Sequence, residues 1–189
     1  MSNLKNFFLD CLELPYKPNS QQNPEHENQV EELLKKHGLN YVSQPNGIQQ
    51  SPDFRIYLGD SVLCYGDVID VECKSSKQAF PVYNSGLPKP GVVYVFSSKK
   101  YNSTTIYFAD DIVTDEKREL YEALTTEYKK ILTEFQSREG WNDPRGFDFY
   151  MRAMYTQSGG AGKTDYFMHF DRARCEENVL TIMENIDGS

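Results

Sequence analysis

The chain has 189 residues, 39% hydrophobic and 25% charged, which suits one globular domain with its own core and falls short of two. Its longest apolar runs, such as Val92-Val93-Tyr94-Val95-Phe96, stop far below the roughly 18–20 residues of a membrane-crossing helix. The first residues lack the apolar stretch and small-residue cleavage site of a secretory signal, so a cytoplasmic protein with no membrane partner is expected. A formal charge of −8 taken alone speaks against nucleic acid. Its distribution matters more than its sum. From Cys73 to Ala109 there are five lysines and no Asp or Glu, whereas from Asp110 to Asp143 ten acidic residues stand against five basic ones. The local field decides what a cleft attracts, so DNA stays open as a partner.

Apolar positions at helical spacing predict a short helix over 4–12, and two prolines with Asn and Ser predict a loop over 16–22. A second helix is expected over 25–37. Asn23 offers an N-cap, Pro24 stands at the first turn, acidic residues come early and lysines late, and Gly38 sits where a C-cap glycine belongs. Val30, Leu33 and Leu34 form its buried stripe. The period then changes. Short β-branched or aromatic runs at 41–42, 54–58, 68–74, 92–97 and 105–108 read as strands bounded by turn formers. Past Thr114 a long amphipathic helix carries Leu120, Ala123, Leu124, Tyr128, Ile131, Leu132 and Phe135. A break at 141–146 precedes an expected helix over 147–155, a glycine loop at 158–162, a strand over 166–170 and a last helix over 171–185. Helix, then strands, then helices implies an α/β protein with a mixed central β-sheet flanked by helices. It is read as one domain over 1–189, with its core at about 24–110 and a helical C-terminal part at about 114–189.

Four cysteines, Cys11, Cys64, Cys73 and Cys175, show no metal-binding spacing and are expected to be reduced, mostly buried thiols. His26, His37 and His169 form no metal spacing either. The segment from Gln157 to Thr164 resembles a phosphate-binding loop, but Gln157 stands where that pattern needs Gly, so no nucleotide cofactor is expected.

The chemistry concentrates on two strands. In Val68-Ile69-Asp70-Val71-Glu72-Cys73-Lys74, alternation puts Ile69, Val71 and Cys73 on a core face and Asp70, Glu72 and Lys74 on the other. Asp53 stands at the mouth of the preceding strand, after Pro52. A hairpin-like return through Gly59, Asp60 and Gly66 would bring it near Glu72. A solvated charged face with cross-strand ion pairs is the competing reading. Against it stand the otherwise apolar strand, the Pro52-Asp53 opening and the acid-free stretch that follows. Phosphodiester hydrolysis needs a hard divalent cation, and Mg2+ is held by one or two carboxylates. Asp53 and Glu72 can supply these, the Cys73 carbonyl a third ligand, and Lys74 can orient water and offset developing charge.

Pro52-Asp53 followed by Glu72-Cys73-Lys74 resembles the signature of the PD-(D/E)xK nucleases, and the text around it looks like type II restriction endonucleases. The resemblance covers about residues 25–98. It implies a restriction-endonuclease-like core, Mg2+ dependence and direct attack by water without a covalent intermediate. It also implies a glutamate on the first core helix, for which Glu27 fits best. A solvated first-turn carboxylate is the alternative for Glu27, and Asp70 is a further candidate for supporting the site. Double-stranded DNA would be gripped by Ser76, Lys77 and Gln78 after the active strand and by Asn84, Ser85 and Lys89 in the next loop. The loop carrying Arg152, Lys163, Arg172 and Arg174 is a second candidate. A palindromic site invites a homodimer. A structure-selective repair or recombination nuclease and a non-catalytic DNA-binding module remain as alternatives.

Overall fold

A computed structural model of the chain describes residues 3–48, 50–58, 68–84, 86–149, 151–156 and 165–188. The strands are β1 (Tyr41–Ser43), β2 (Phe54–Tyr57), β3 (Val68–Ser76), β4 (Val82–Tyr83), β5 (Val93–Ser98), β6 (Ser103–Phe108) and β7 (Tyr155–Thr156). Five of them form one sheet in the order β1-β2-β3-β5-β6, in which β3 and β5 are parallel and every other pair is antiparallel. The expected mixed central sheet is therefore present. All six residues of β5 are buried, which explains why that strand reads as an apolar run rather than an alternation. β4 and β7 pair separately; neither two-residue strand is visible in the periodicity.

One sheet face packs against helices α1 (Leu4–Leu12), α2 (Glu25–Lys36) and α5 (Arg172–Gly188). There Ile56, Val71, Cys73, Val95 and Ile106 meet Leu4, Phe7, Phe8, Val30, Leu34, Val179 and Met183. The other face carries Tyr94, Phe96 and Tyr107, covered by Tyr83 and Phe167. Glu72 lies beside Tyr94 and Lys74 beside Phe96 in the parallel register, so the two charged side chains share this aromatic face.

Gly38 ends α2 as expected, at φ +64°. Leu39 N–H donates to Leu34 O and Gly38 N–H to Lys35 O, both at 3.1 Å, the double closure a left-handed glycine permits. The start of α2 differs from expectation. Pro24 holds the N-cap position without a side-chain cap, and Asn23 Nδ2 donates instead to Glu25 Oε1 at 2.8 Å.

After the short α3 (Ala109–Ile112), α4 (Asp115–Gln136) is capped by Thr114, whose side chain accepts from Lys117 N–H. The long helix exists, yet it buries none of its residues. The helix expected over 147–155 is absent from its described residues, which are irregular until β7; Phe147, Phe149 and Met151 recur at period two, which suits extended backbone. The strand expected over 166–170 is a 3-10 turn at Tyr166–Met168. Asp165 fixes this turn: its carbonyl accepts from Met168 N–H at 3.2 Å, and its carboxylate accepts from Lys100 Nζ and Tyr101. Among the described residues no helix is long and apolar enough to cross a membrane. Residues 59–67, with Cys64, and 157–164, with the glycine loop, lie outside the described residues.

Candidate active site

Asp53 immediately precedes β2. Because Phe54 pairs with Val71 in the antiparallel register, Asp53 falls alongside Glu72 and Cys73. Its Oδ2 accepts from Cys73 N–H at 2.7 Å. Glu72 is 7% exposed; its Oε1 accepts from Lys74 Nζ at 2.5 Å. Its Oε2 is buried without a hydrogen-bond partner among the described residues. Leaving a carboxylate oxygen desolvated and unbonded is costly, so this atom marks where a cation would be stabilised most.

The charges respond to one another. Burial, then the neighbouring Glu72 and Glu27 charges, push the Asp53 carboxyl up to about 7, although the Cys73 N–H and Lys74 pull the other way. For Lys74, burial works to lower the pKa; the charge and hydrogen bond of Glu72, helped by Asp53, more than offset it and hold the group above its usual range. Lys74 is thus an ammonium at neutral pH. The Cys73 thiol is pushed well up by burial first and by the same carboxylates second, so its backbone carbonyl, not its sulfur, is the usable donor.

Glu72 and Lys74 open onto a cavity of about 230 Å³ whose wall includes Tyr83, Asn84, Lys89 and Tyr94. Segment 86–91 is pinned beside it from both sides. Lys89 Nζ donates to Ser51 O at 3.0 Å, and Lys89 N–H donates to the Tyr94 hydroxyl at 3.0 Å.

Glu27 is half-buried on α2 and accepts from Asn19 Nδ2 at 2.7 Å. Its charge reaches both Asp53 and Cys73, so the helix does deliver it to this end of the strands. The neighbour that delivers it carries no signal in the sequence. His26 is fully buried and its Nε2 lies 3.0 Å from Val95 O; a carbonyl only accepts, so Nε2 carries the proton. This bond ties the first turn of α2 to β5.

Asp70 takes the structural path. Arg55 Nε and Nη2 donate to its two oxygens at 2.7 and 2.9 Å across the β2–β3 pair. The cross-strand ion-pair reading therefore holds for Asp70, whereas Glu72 and Lys74 form a pair facing the cavity. Of the residues expected to grip DNA, Asn84 and Lys89 border the cavity. Ser76, Lys77 and Gln78 lie past its edge at the end of β3, with Ser76 Oγ accepting from Gln78 N–H at 3.0 Å. Ser85 is outside the described residues. Tyr83, Tyr94, Gln50 and Ser51 also line the cavity; no motif announces them, because folding of distant segments brings them there.

Among the described residues no group of three or more His, Cys, Asp or Glu side chains is gathered to hold a metal ion. Mg2+ does not require one, since it keeps several waters and takes one or two carboxylates. Asp53, Glu72 and the Cys73 carbonyl fit that demand, given the unpartnered Glu72 Oε2. The chain matches no protein-family model, no curated protein and no solved structure at a significant level.

Proposed function

We propose that the chain is a Mg2+-dependent type II restriction endonuclease of the PD-(D/E)xK superfamily, built on a restriction-endonuclease-like core and acting in the cytoplasm on double-stranded DNA at a specific sequence. The supporting observation is that Asp53, bonded to Cys73 N–H, stands beside Glu72 and Lys74, which line one cavity, and that Glu72 keeps a buried, unbonded oxygen. A bound Mg2+ would polarise the scissile phosphate and acidify a coordinated water. Asp53 and Glu72 would hold that ion with the Cys73 carbonyl, and Glu27 would strengthen the negative field around it. Lys74, kept cationic by Glu72, orients the attacking water through its N–H donors and offsets charge on the pentacoordinate transition state. Asn84 and Lys89 contact the duplex at the cavity, and Ser76, Lys77 and Gln78 beyond it. Two copies acting together would cut both strands of a palindrome.

Digesting DNA of known sequence tests this. Discrete fragments are expected with Mg2+ and none with EDTA, and Lys74→Met should slow cleavage at least about 100-fold. Preference for branched or nicked substrates would favour the repair nuclease. Binding without cleavage would leave a non-catalytic DNA-binding module.

A further inference from the structure

A larger trough of about 840 Å³ adjoins the catalytic cavity, and Gly86, Leu87 and Lys89 line both. The far wall of the trough is α4 and the segment before β7. Its charged lining is Lys89, Arg118, Lys129 and Arg152 against Glu122 alone, four cations to one anion in a chain of net charge −8. A cleft of one sign with low-dielectric walls focuses its field outward, and this one is positive inside an acidic protein.

Arg118 holds one wall of the trough in place. Its Nη1 donates to Pro88 O at 2.5 Å, which anchors the shared loop to α4. Its Nε and Nη2 are buried without a hydrogen-bond acceptor among the described residues, and Nη2 forms an ion pair with Asp110 Oδ1 at 3.6 Å. Arg118 therefore fixes the wall of the trough from within and leaves the contacts at its surface to Lys129 and Arg152. On the same helix Lys130 pairs with Glu127 at 2.6 Å, whereas Lys129 has no ion pair among the described residues and lines the trough.

We infer that this trough is the exit track of the DNA: the phosphodiester backbone leaving the catalytic cavity lies along it, with Lys129 and Arg152 on its wall contacting phosphates. The inference rests on the nuclease reading and deepens it. It assigns α4 and the segment before β7 to substrate binding, outside the two strands that carry the chemistry. These contacts go to phosphates, so they position the duplex without reading it. Lys89 joins the two regions, because the loop it clasps to Ser51 is also the loop Arg118 holds.

The test is fluorescence anisotropy with a labelled 24-base-pair duplex of mixed sequence, in EDTA so that nothing is cut, over a salt series. The proteins are wild type, Lys129→Ala with Arg152→Ala, and Lys35→Ala on the far helix as a control. Each phosphate contact contributes a slope of about −0.9 in log K against log salt. The double variant should therefore bind at least about tenfold more weakly near 0.1 M salt, with a slope shallower by about two, while Lys35→Ala matches wild type. A double variant with wild-type affinity and slope overturns the exit track, even if the wild type binds and cuts DNA. A wild type that neither binds the duplex nor cuts DNA with Mg2+ overturns the nuclease reading and the track with it.

Discussion

Asp53 shows how far a single carboxylate can be driven by its company. Burial and two neighbouring carboxylates raise it from an ordinary 3.8 to about 7, so at neutral pH the cation-free protein holds it between two protonation states. The folded state binds this proton more tightly than the unfolded chain. The resulting stability is fully present below about pH 4 and is lost as the pH rises through about 7, beyond which the loss is complete. Asp53→Asn removes the charge and keeps an oxygen for the Cys73 N–H. The variant should therefore gain on the wild type between pH 4 and 7 and level off above it. The gain should reach about 2–4 kcal/mol, with about 4 as the ceiling set by the pKa change. Urea unfolding in EDTA at pH 4, 6 and 8 measures this. A variant no more stable than wild type at pH 8 would remove the argument that the site is built around absent positive charge. The same variant should lose cleavage, the usual exchange of stability for function.

At the scale of elements, α2 is held by a histidine whose value depends on being neutral. Burial lowers the His26 pKa from 6.5, although its bond to the Val95 carbonyl opposes that. The unfolded chain takes up a proton that the fold refuses, so this stability is present above about pH 6.5 and is lost as the pH falls below it. His26→Gln can still donate to Val95 O without titrating. It should show a smaller loss of stability between pH 6.5 and 5 than the wild type, each curve taken relative to its own value at pH 7.5; parallel curves would rule the histidine out as the cause. Because His26 adjoins Glu27, a loosened α2 should also weaken cleavage in His26→Ala more than in His26→Gln. The elements themselves are largely legible in the sequence. Alternation in β3 separates Val71 and Cys73 from Glu72 and Lys74, and Gly38 stops α2, because these signals are local. His26 is not legible because its acceptor lies 69 residues away, nor is Tyr94, because its place in the cavity depends on the parallel register with Glu72. The turn at Tyr166–Met168 is hidden for the same reason: Asp165 is held by Lys100 and Tyr101 from across the fold.

The whole molecule turns on α4, whose amphipathicity is inverted. At about 100° per residue, the trough-lining positions Arg118, Glu122, Thr125 and Lys129 lie roughly 140° around the helix from Leu120, Leu124, Tyr128, Ile131 and Phe135. The polar face borders the trough. The apolar stripe stays 41–59% exposed along its length, which a monomer has no reason to maintain over four turns. Pairing two such stripes across a dyad would remove roughly 1,000 Å² from water, the threshold a specific interface has to clear. We therefore expect the second copy on this face, with Tyr128 near the axis because it sits midway along the stripe. Leu124→Glu with Ile131→Glu places charges in the middle of that contact without touching the core. Sedimentation equilibrium should find a wild-type dimer and a monomeric double variant with unchanged far-UV circular dichroism. On a plasmid carrying one cleavage site, the monomer should nick where the dimer linearises, at an initial rate at least about tenfold lower. A wild-type monomer, or a double variant that remains dimeric and linearises the plasmid normally, would show that the stripe serves something other than pairing. The outcome is separable from the chemistry, since nicking by the monomer still requires Asp53, Glu72 and Lys74 in each copy.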